Sequence, residues 1–315
     1  MNKPKKPLVS ILTPTYNRAY TLPRLYESLK VQTYTVFEWL ILDDGSTDNT
    51  RQLVDSWLNE EQIKIRYFYQ KNSGKHVALN RGIREALGEF FIIVDSDDYL
   101  LPHALEFLVS GWESIPKDLQ PQFCGIAGLC VNQEGKIVGT PFPENPLDSD
   151  YIEIRTRYRI QGDKAEMYRT EVIRNFLLYP EYQGETFVLE ALLWNRVAAA
   201  GYRMRFFNEK IRVVEYLGDG LTAQGARKTV RNPRGARLYF LEFIQINRYF
   251  PAKVLLYHYA NYLRFCLHCR IPIRQIIMEA PSKRWLALAA IPGLLVYIRD
   301  RFRYKGQPVK PLPSP

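Results

Sequence analysis

Asp95 and Asp97 stand one residue apart at the end of an apolar run, Phe90-Phe91-Ile92-Ile93-Val94, which leads straight into Asp95-Ser96-Asp97-Asp98. Such a run predicts a buried strand, and a strand of an open α/β sheet delivers the residues after it to the carboxyl edge, where these sheets bind ligands. Asp95 and Asp97 would then face one crevice. Converging carboxylates repel one another unless a hard cation offsets them, and Mg²⁺ or Mn²⁺ shared with a ligand's phosphates does this. The spacing therefore points to a metal-held diphosphate. A lone Asp-x-Asp is also compatible with a solvated acidic turn, so the elements before it decide the reading.

Those elements alternate. Val9-Ser10-Ile11-Leu12-Thr13 reads as a strand and Pro14-Thr15-Tyr16-Asn17-Arg18 as its loop. A helix is expected from about Thr21-Leu22-Pro23, with Thr21 as cap and Leu22, Leu25, Tyr26 and Leu29 at helical spacing. Trp39-Leu40-Ile41-Leu42 predicts a second strand, ending in Asp43-Asp44-Gly45-Ser46-Thr47-Asp48; Gly45 permits a tight turn, and Ser46, Thr47 or Asp48 can cap the helix through Leu53, Val54, Trp57 and Leu58. A strand over Ile63–Tyr69 and a helix over His76–Leu87 complete the approach to Phe90. The alternation predicts a mostly parallel sheet covered on both faces. Asp43-Asp44 suits a base better than a metal: a carboxylate beside a helix start can accept the N3 hydrogen of uracil while Tyr16 stacks on the ring, or it can be a plain helix cap.

In this order and spacing, VSILTPTYNR, LILDDGSTDNT, KNSGKHVALNRGIREALGEF and FIIVDSDDYLLP resemble the nucleotide-sugar-binding half of glycosyltransferase family 2, over roughly residues 7 to 222. The resemblance implies a GT-A fold, a Rossmann-like α/β sheet with helices on both faces, and transfer that inverts the anomeric centre. It implies that Pro14, Thr15, Tyr16 and Asp44 contact the nucleoside, and that Asp95, Ser96 and Asp97 form the DxD element against the nucleotide and its Mn²⁺ or Mg²⁺. Asp97 would be the closest metal ligand. Lys75 lies between the nucleoside and diphosphate segments and can meet phosphate as a point charge.

Inverting transfer needs one carboxylate to take the acceptor hydroxyl's proton as that oxygen attacks opposite the leaving diphosphate. In many family members this is the acid of a Glu-Asp pair opening a helix that runs on to a Trp and an Arg. Here Gly184-Glu185-Thr186-Phe187-Val188-Leu189-Glu190 leads to Trp194 and Arg196, which puts Glu190 at the base position. Leu189-Glu190 replaces Glu-Asp, and Glu185 stays a competitor. Many members also place a metal-completing histidine shortly before a Ser or Thr; Asp219, between Tyr216 and Thr222, falls near that place, and an oxygen ligand suits a hard ion.

Charge is divided along the chain. From Ala223 onward there are 17 Lys and Arg against 3 acids, a surplus of 14, which against the chain's net +10 leaves residues 1–222 at −4. A basic tail beside a mildly acidic part predicts an anionic surface as partner. The tail holds a 14-residue apolar run, Trp285 to Ile298, with Pro292-Gly293 inside it and Lys283, Arg284, Arg299, Arg301, Arg303 and Lys305 around it. A span needs about 20 residues, so an interfacial or re-entrant segment at an anionic membrane is expected rather than a nucleic-acid site. The four cysteines show no paired framework, and the chain opens without a signal peptide, which suits a cytoplasmic protein held peripherally at the inner face of the cell membrane. Cys266-Leu267-His268-Cys269 is too tight for a structural zinc site.

These observations predict a catalytic domain over 1–222 and a basic helical extension over 223–315. The expected activity is metal-dependent transfer of a sugar from a nucleoside-diphosphate donor, with a UDP-sugar as the first expectation, to a hydroxyl of a lipid-linked or polysaccharide acceptor in cell-surface glycan synthesis. A sugar nucleotidyltransferase would show a Gly-rich loop with Arg after the first strand, which Pro14-Thr15-Tyr16-Asn17 is not. A phosphatase with a DxD nucleophile carries it after its first strand. A non-catalytic nucleotide-binding module would have no need of a base.

Overall fold

The structure, a computed structural model, describes residues 8–176, 178–218 and 225–304. The chain forms β1 (Val9–Thr15), α1 (Leu22–Lys30), β2 (Phe37–Asp43), α2 (Thr50–Glu60), β3 (Ile65–Tyr69), α3 (Lys75–Glu85), β4 (Phe90–Ile93), β5 (Tyr99–Leu100) and α4 (Ala104–Glu113). There follow β6 (Phe123–Val131), β7 (Leu147–Ser149), α5 (Tyr151–Thr156), β8 (Lys164–Arg169), α6 (Thr170–Arg174), α7 (Ala191–Ala199) and β9 (Arg203–Val213). The remaining helices are α8 (Ala226–Arg231), α9 (Pro233–Gln245), α10 (Ala252–His268), α11 (Ile273–Glu279) and α12 (Lys283–Arg303).

Among the described residues the nine strands join one sheet in the order β3-β2-β1-β4-β8-β6-β9-β5, with β7 also on β9. The expected parallel character holds for β3, β2, β1 and β4; beyond β4 the sheet is mixed, because β8 runs antiparallel to both β4 and β6. Every residue of β1 and β2 is buried, as strands covered on both faces require. Their polar side chains are paired inside: Ser10 Oγ donates to Glu38 Oε1 at 2.6 Å and Trp39 Nε1 to Thr13 Oγ1 at 2.8 Å. Tyr26 stacks on Trp57 at 4.4 Å between ring centres, fixing α1 against α2.

One helix start departs from expectation, and the other is served by one of the expected caps. The Thr21 hydroxyl turns back to the Arg18 carbonyl at 3.3 Å rather than capping α1. Asp48 serves α2 from one residue further out than its N-cap Asn49, accepting from Thr50 N at 3.0 Å and Thr50 Oγ1 at 2.6 Å.

The chain divides into two compact units: residues 1–178 with 196–217, and residues 179–195 with 218–315. Segment 179–195, expected with the sheet, belongs to the second unit. That unit packs Phe240, Tyr259, Tyr262, Phe265 and Ala289 in its core. Of the interfacial or re-entrant segment expected around Pro292-Gly293, the structure makes one helix, α12, which runs unbroken through Pro292. Pro292 leaves one carbonyl without its helical donor, but a Cβ on Gly293 would lie 2.8 Å from the Ala260 carbonyl oxygen, so the glycine lets α12 seat closely on α10. Among the described residues no helix is long and apolar enough to cross a membrane.

Candidate functional site

β1 pairs with β2 on one side and β4 on the other, all parallel. The chain leaves β1 toward β2 and returns on the opposite side as β4, so a crevice opens where their carboxyl ends diverge. The loops after β1, β2 and β4 meet this edge, and they carry most of the residues singled out from sequence.

The first two loops are laced together. Asn17, at φ 53°, accepts from Thr47 N at 2.7 Å, and Asn17 N donates to Ser46 Oγ at 2.8 Å. Asp44 N donates to the Thr15 carbonyl at 2.9 Å. Pro14 and Thr15 are buried while the Tyr16 ring stands half exposed, as a stacking platform would. The Thr15 hydroxyl is buried and meets no hydrogen-bond partner among the described residues.

Asp44 is tied into the protein's own loops. Its carboxylate accepts from Gln70 Nε2 at 2.9 Å, Ser73 N at 2.9 Å and Gly74 N at 2.7 Å. These bonds fold the 70–74 loop that starts α3. They leave about one of a carboxylate's four acceptor positions for a base. Burial raises its pKa, with those three bonds pulling the other way. Asp43 is equally committed, accepting from Ser46 N at 2.7 Å and Tyr67 OH at 2.5 Å. Gly45 is required here: at φ 87° a Cβ would sit 2.7 Å from Asn72 N.

The turn after β4 closes with Asp98 N on the Asp95 carbonyl at 3.0 Å. Burial alternates along it, with Asp95 and Asp97 partly exposed and Ser96 and Asp98 buried. Lys75 Nζ lies 2.7 Å from Asp95 Oδ1, which joins the start of α3 to the acidic turn. Burial, and then the Asp95 charge, hold the Asp97 carboxyl above the ordinary carboxylate range.

Two residues that sequence reasoning missed, Arg24 and Arg212, hold this turn. Arg24 Nη2 donates to the Asp97 carbonyl at 2.6 Å and pairs with Glu215 at 2.5 Å. Arg212, itself buried, donates to the Ile93 carbonyl at 2.9 Å and to the Lys164 carbonyl at 2.5 Å, with Asp98 at 3.7 Å. Burial pushes Asp98 up to about 8 against the pull of Arg212. No local pattern signals these contacts, since Arg24 and Asp97 are 73 residues apart and Arg212 and Ile93 are 119 apart.

In the second unit the two candidate bases separate. The expected helix begins at Ala191, so Glu190 stands at its threshold, its carbonyl accepting from Leu193 N at 3.2 Å. Glu185 lies outside the helix and is buried. Its carboxylate accepts from Arg234 N at 2.9 Å, Arg234 Nε at 3.0 Å and Gly235 N at 3.0 Å, capping α9 from a distant segment. Asp219 lies outside the described residues, and among those described no group of three or more His, Cys, Asp and Glu is placed to hold a metal ion.

Residues 10–126 match the model of glycosyl transferase family 2. The poly(ribitol-phosphate) beta-N-acetylglucosaminyltransferase TarS of Staphylococcus aureus is 28% identical over 210 residues, 64% of this chain and 35% of TarS. The structure of TarS 1-349 in complex with UDP-GlcNAc superposes with TM-score 0.64 at 18% identity, covering 94% of this chain and 91% of that one. A GalNAc(5)-diNAcBac-PP-undecaprenol beta-1,3-glucosyltransferase of Campylobacter jejuni is 25% identical over 193 residues, 60% of this chain and 59% of its own length. The mannosyltransferase PcManGT of Pyrobaculum calidifontis, solved with GDP-Man and Mn²⁺, superposes with TM-score 0.57 at 18% identity, covering 95% and 92% of the two chains. At these identities the structural likeness shows the fold, an α/β sheet of GT-A type with a C-terminal helical region. The chain spans between 16% and 59% of the length of the curated relatives it matches.

Proposed function

We propose that the chain, whose residues 10–126 match the model of glycosyl transferase family 2, belongs to that family and transfers a sugar from a nucleoside-diphosphate donor, a UDP-sugar in the first instance, to a hydroxyl of a polysaccharide or lipid-linked acceptor. The observation that carries this is the switch point, where the loops bearing Thr15 and Tyr16, Asp44, and Asp95 to Asp97 meet one edge of the sheet and Lys75 reaches the last of them. TarS supports the donor class, being solved with UDP-GlcNAc, and the Campylobacter relative's name supports a lipid-linked acceptor.

In this reading Tyr16 stacks on the base and the Thr15 hydroxyl gains a partner. Asp44 holds the loop that gives the nucleoside its wall and keeps one acceptor position for the base. Lys75 moves from Asp95 to a phosphate oxygen as donor binds, which releases Asp95. The residues fit Mg²⁺ or Mn²⁺: with substrate phosphates such ions need only one or two protein carboxylates, and Asp97 is held above its ordinary range beside Asp95. Asp97 would hold the ion with Asp95, and Asp219 is the candidate third ligand; the ion would offset charge on the departing diphosphate. Glu190 is assigned the acceptor's proton, since the carboxylate of Glu185 is taken up by α9. The reaction inverts the anomeric centre.

Calorimetric titration of UDP with Mn²⁺ tests the assignment. Asp97→Ala should remove the metal-dependent part of binding, a loss of several kcal/mol, because phosphates would then face Asp95 uncompensated. Unchanged affinity in this variant rejects the DxD reading.

A further inference from the structure

α12 carries two apolar faces. Leu286, Ala289 and Gly293 are buried on one. On the other, Leu288, Ile291, Leu295, Ile298 and Phe302 recur at helical spacing and are exposed, Ile291 by 72% and Phe302 by 76%. A helix that only packed on its neighbours would turn polar residues outward at these positions. An apolar stripe running about 21 Å along a helix is what a partner covers.

Charge chooses the partner. Lys283 and Arg284 at one end of α12 and Arg299, Arg301 and Arg303 at the other are all exposed. The one acid in the helix, Asp300, is buried and pairs with Arg264 at 2.5 Å. The exposed part of the helix therefore offers cations at both ends and no carboxylate. A second copy laid stripe to stripe would set cation against cation in either direction. Nucleic acid would satisfy the cations and leave the stripe wet. We propose that the outer face of α12 is an interfacial anchor for an anionic bilayer, lying flat with its stripe among the acyl chains and its ends on lipid phosphates. Cations at both ends hold the helix in the plane of the surface, and although its 21 residues would reach across a bilayer, it is not apolar enough to cross one. The inference is independent of the donor site.

Co-sedimentation of the full chain with phosphatidylcholine vesicles, with and without phosphatidylglycerol, tests it. Binding should appear with phosphatidylglycerol and weaken in about 1 M salt, where charge is screened within a few ångströms. Ile291→Asp with Leu295→Asp should weaken it about tenfold or more, and Arg301→Gln with Arg303→Gln by a similar factor. All four positions are exposed, and an unchanged circular-dichroism melt shows that the fold is kept. An unaltered chain that ignores anionic vesicles at low salt overturns the proposal without recourse to any variant. So does a dimer, seen by analytical ultracentrifugation, that the Ile291 and Leu295 changes dissociate.

Discussion

Glu185 and Glu190 stand five residues apart, and the structure predicts opposite consequences for the same change at each. The Glu185 side chain is 4% exposed and its carboxylate takes three donors, two of them the backbone amides of Arg234 and Gly235 in the first turn of α9. Asn232, the N-cap residue of that helix, makes no cap of its own; its Oδ1 accepts instead from Thr186 N at 2.7 Å and Phe187 N at 3.2 Å. Each segment thus satisfies the amides of the other. Glu185→Gln keeps one acceptor oxygen, turns an NH₂ toward a donor, and removes the charge that the helix N-terminus favours. A hydrogen bond to a charged group contributes about 1.5–3 kcal/mol and the helix dipole about 0.3–1 kcal/mol. Because these contributions overlap, the expected loss of stability is about 2–4 kcal/mol, read by urea unfolding, with nucleotide binding unchanged. Glu190→Gln should slow turnover, read as released nucleoside diphosphate, by about 10²- to 10⁴-fold while moving stability by less than about 1 kcal/mol. If Glu185→Gln leaves unfolding untouched and abolishes turnover, while Glu190→Gln does neither, the assignment is refuted.

Lys75→Ala should weaken UDP about tenfold and leave uridine alone, with stability changed by less than about 1 kcal/mol since its ion pair is partly exposed; equal weakening of both ligands would place Lys75 away from phosphate. His258 is buried against the Phe243 ring at 3.5 Å, and burial lowers its pKa to about 4. The folded state therefore refuses a proton that the unfolded chain accepts near pH 6.5, so stability should fall as pH drops from about 6.5 toward 4, by up to roughly 3 kcal/mol. His258→Gln should flatten that acid limb in unfolding titrations, and an unchanged limb would locate the effect elsewhere. Gly293→Ala puts a Cβ against the Ala260 carbonyl and should cost about 1–3 kcal/mol by forcing α12 off α10, measured by thermal unfolding; a neutral result would mean that the helices shift without loss.

The sheet half of the chain was legible because its signals are local. Apolar runs at Val9, Trp39 and Phe90 became strands, and strand-end acids fell at the carboxyl edge, since a parallel sheet built from alternating strands and helices has nowhere else to put them. The basic tail was equally plain from counting. The helix running to Trp194 opens just after Glu190, at Ala191, as the register of Trp194 and Arg196 implies; the competing Glu185 does serve a helix start, but that of α9, 48 residues later.

By itself, then, the amino-acid sequence determined the order of elements, the acidic and aromatic residues offered at the sheet edge, and the separation of charge between the two parts. Tertiary structure decided what those side chains do. It committed Asp43 and most of Asp44 to loop folding, brought Arg24 and Arg212 under the acidic turn, set the Glu185 carboxylate on the first turn of α9, and gave the apolar run around Pro292 the form of one helix with an inner and an outer apolar face. The physical reason is common to these cases: a buried carboxylate, guanidinium or amide must find a partner. Which partner it finds depends on contacts between segments far apart in the chain, and no local pattern encodes them.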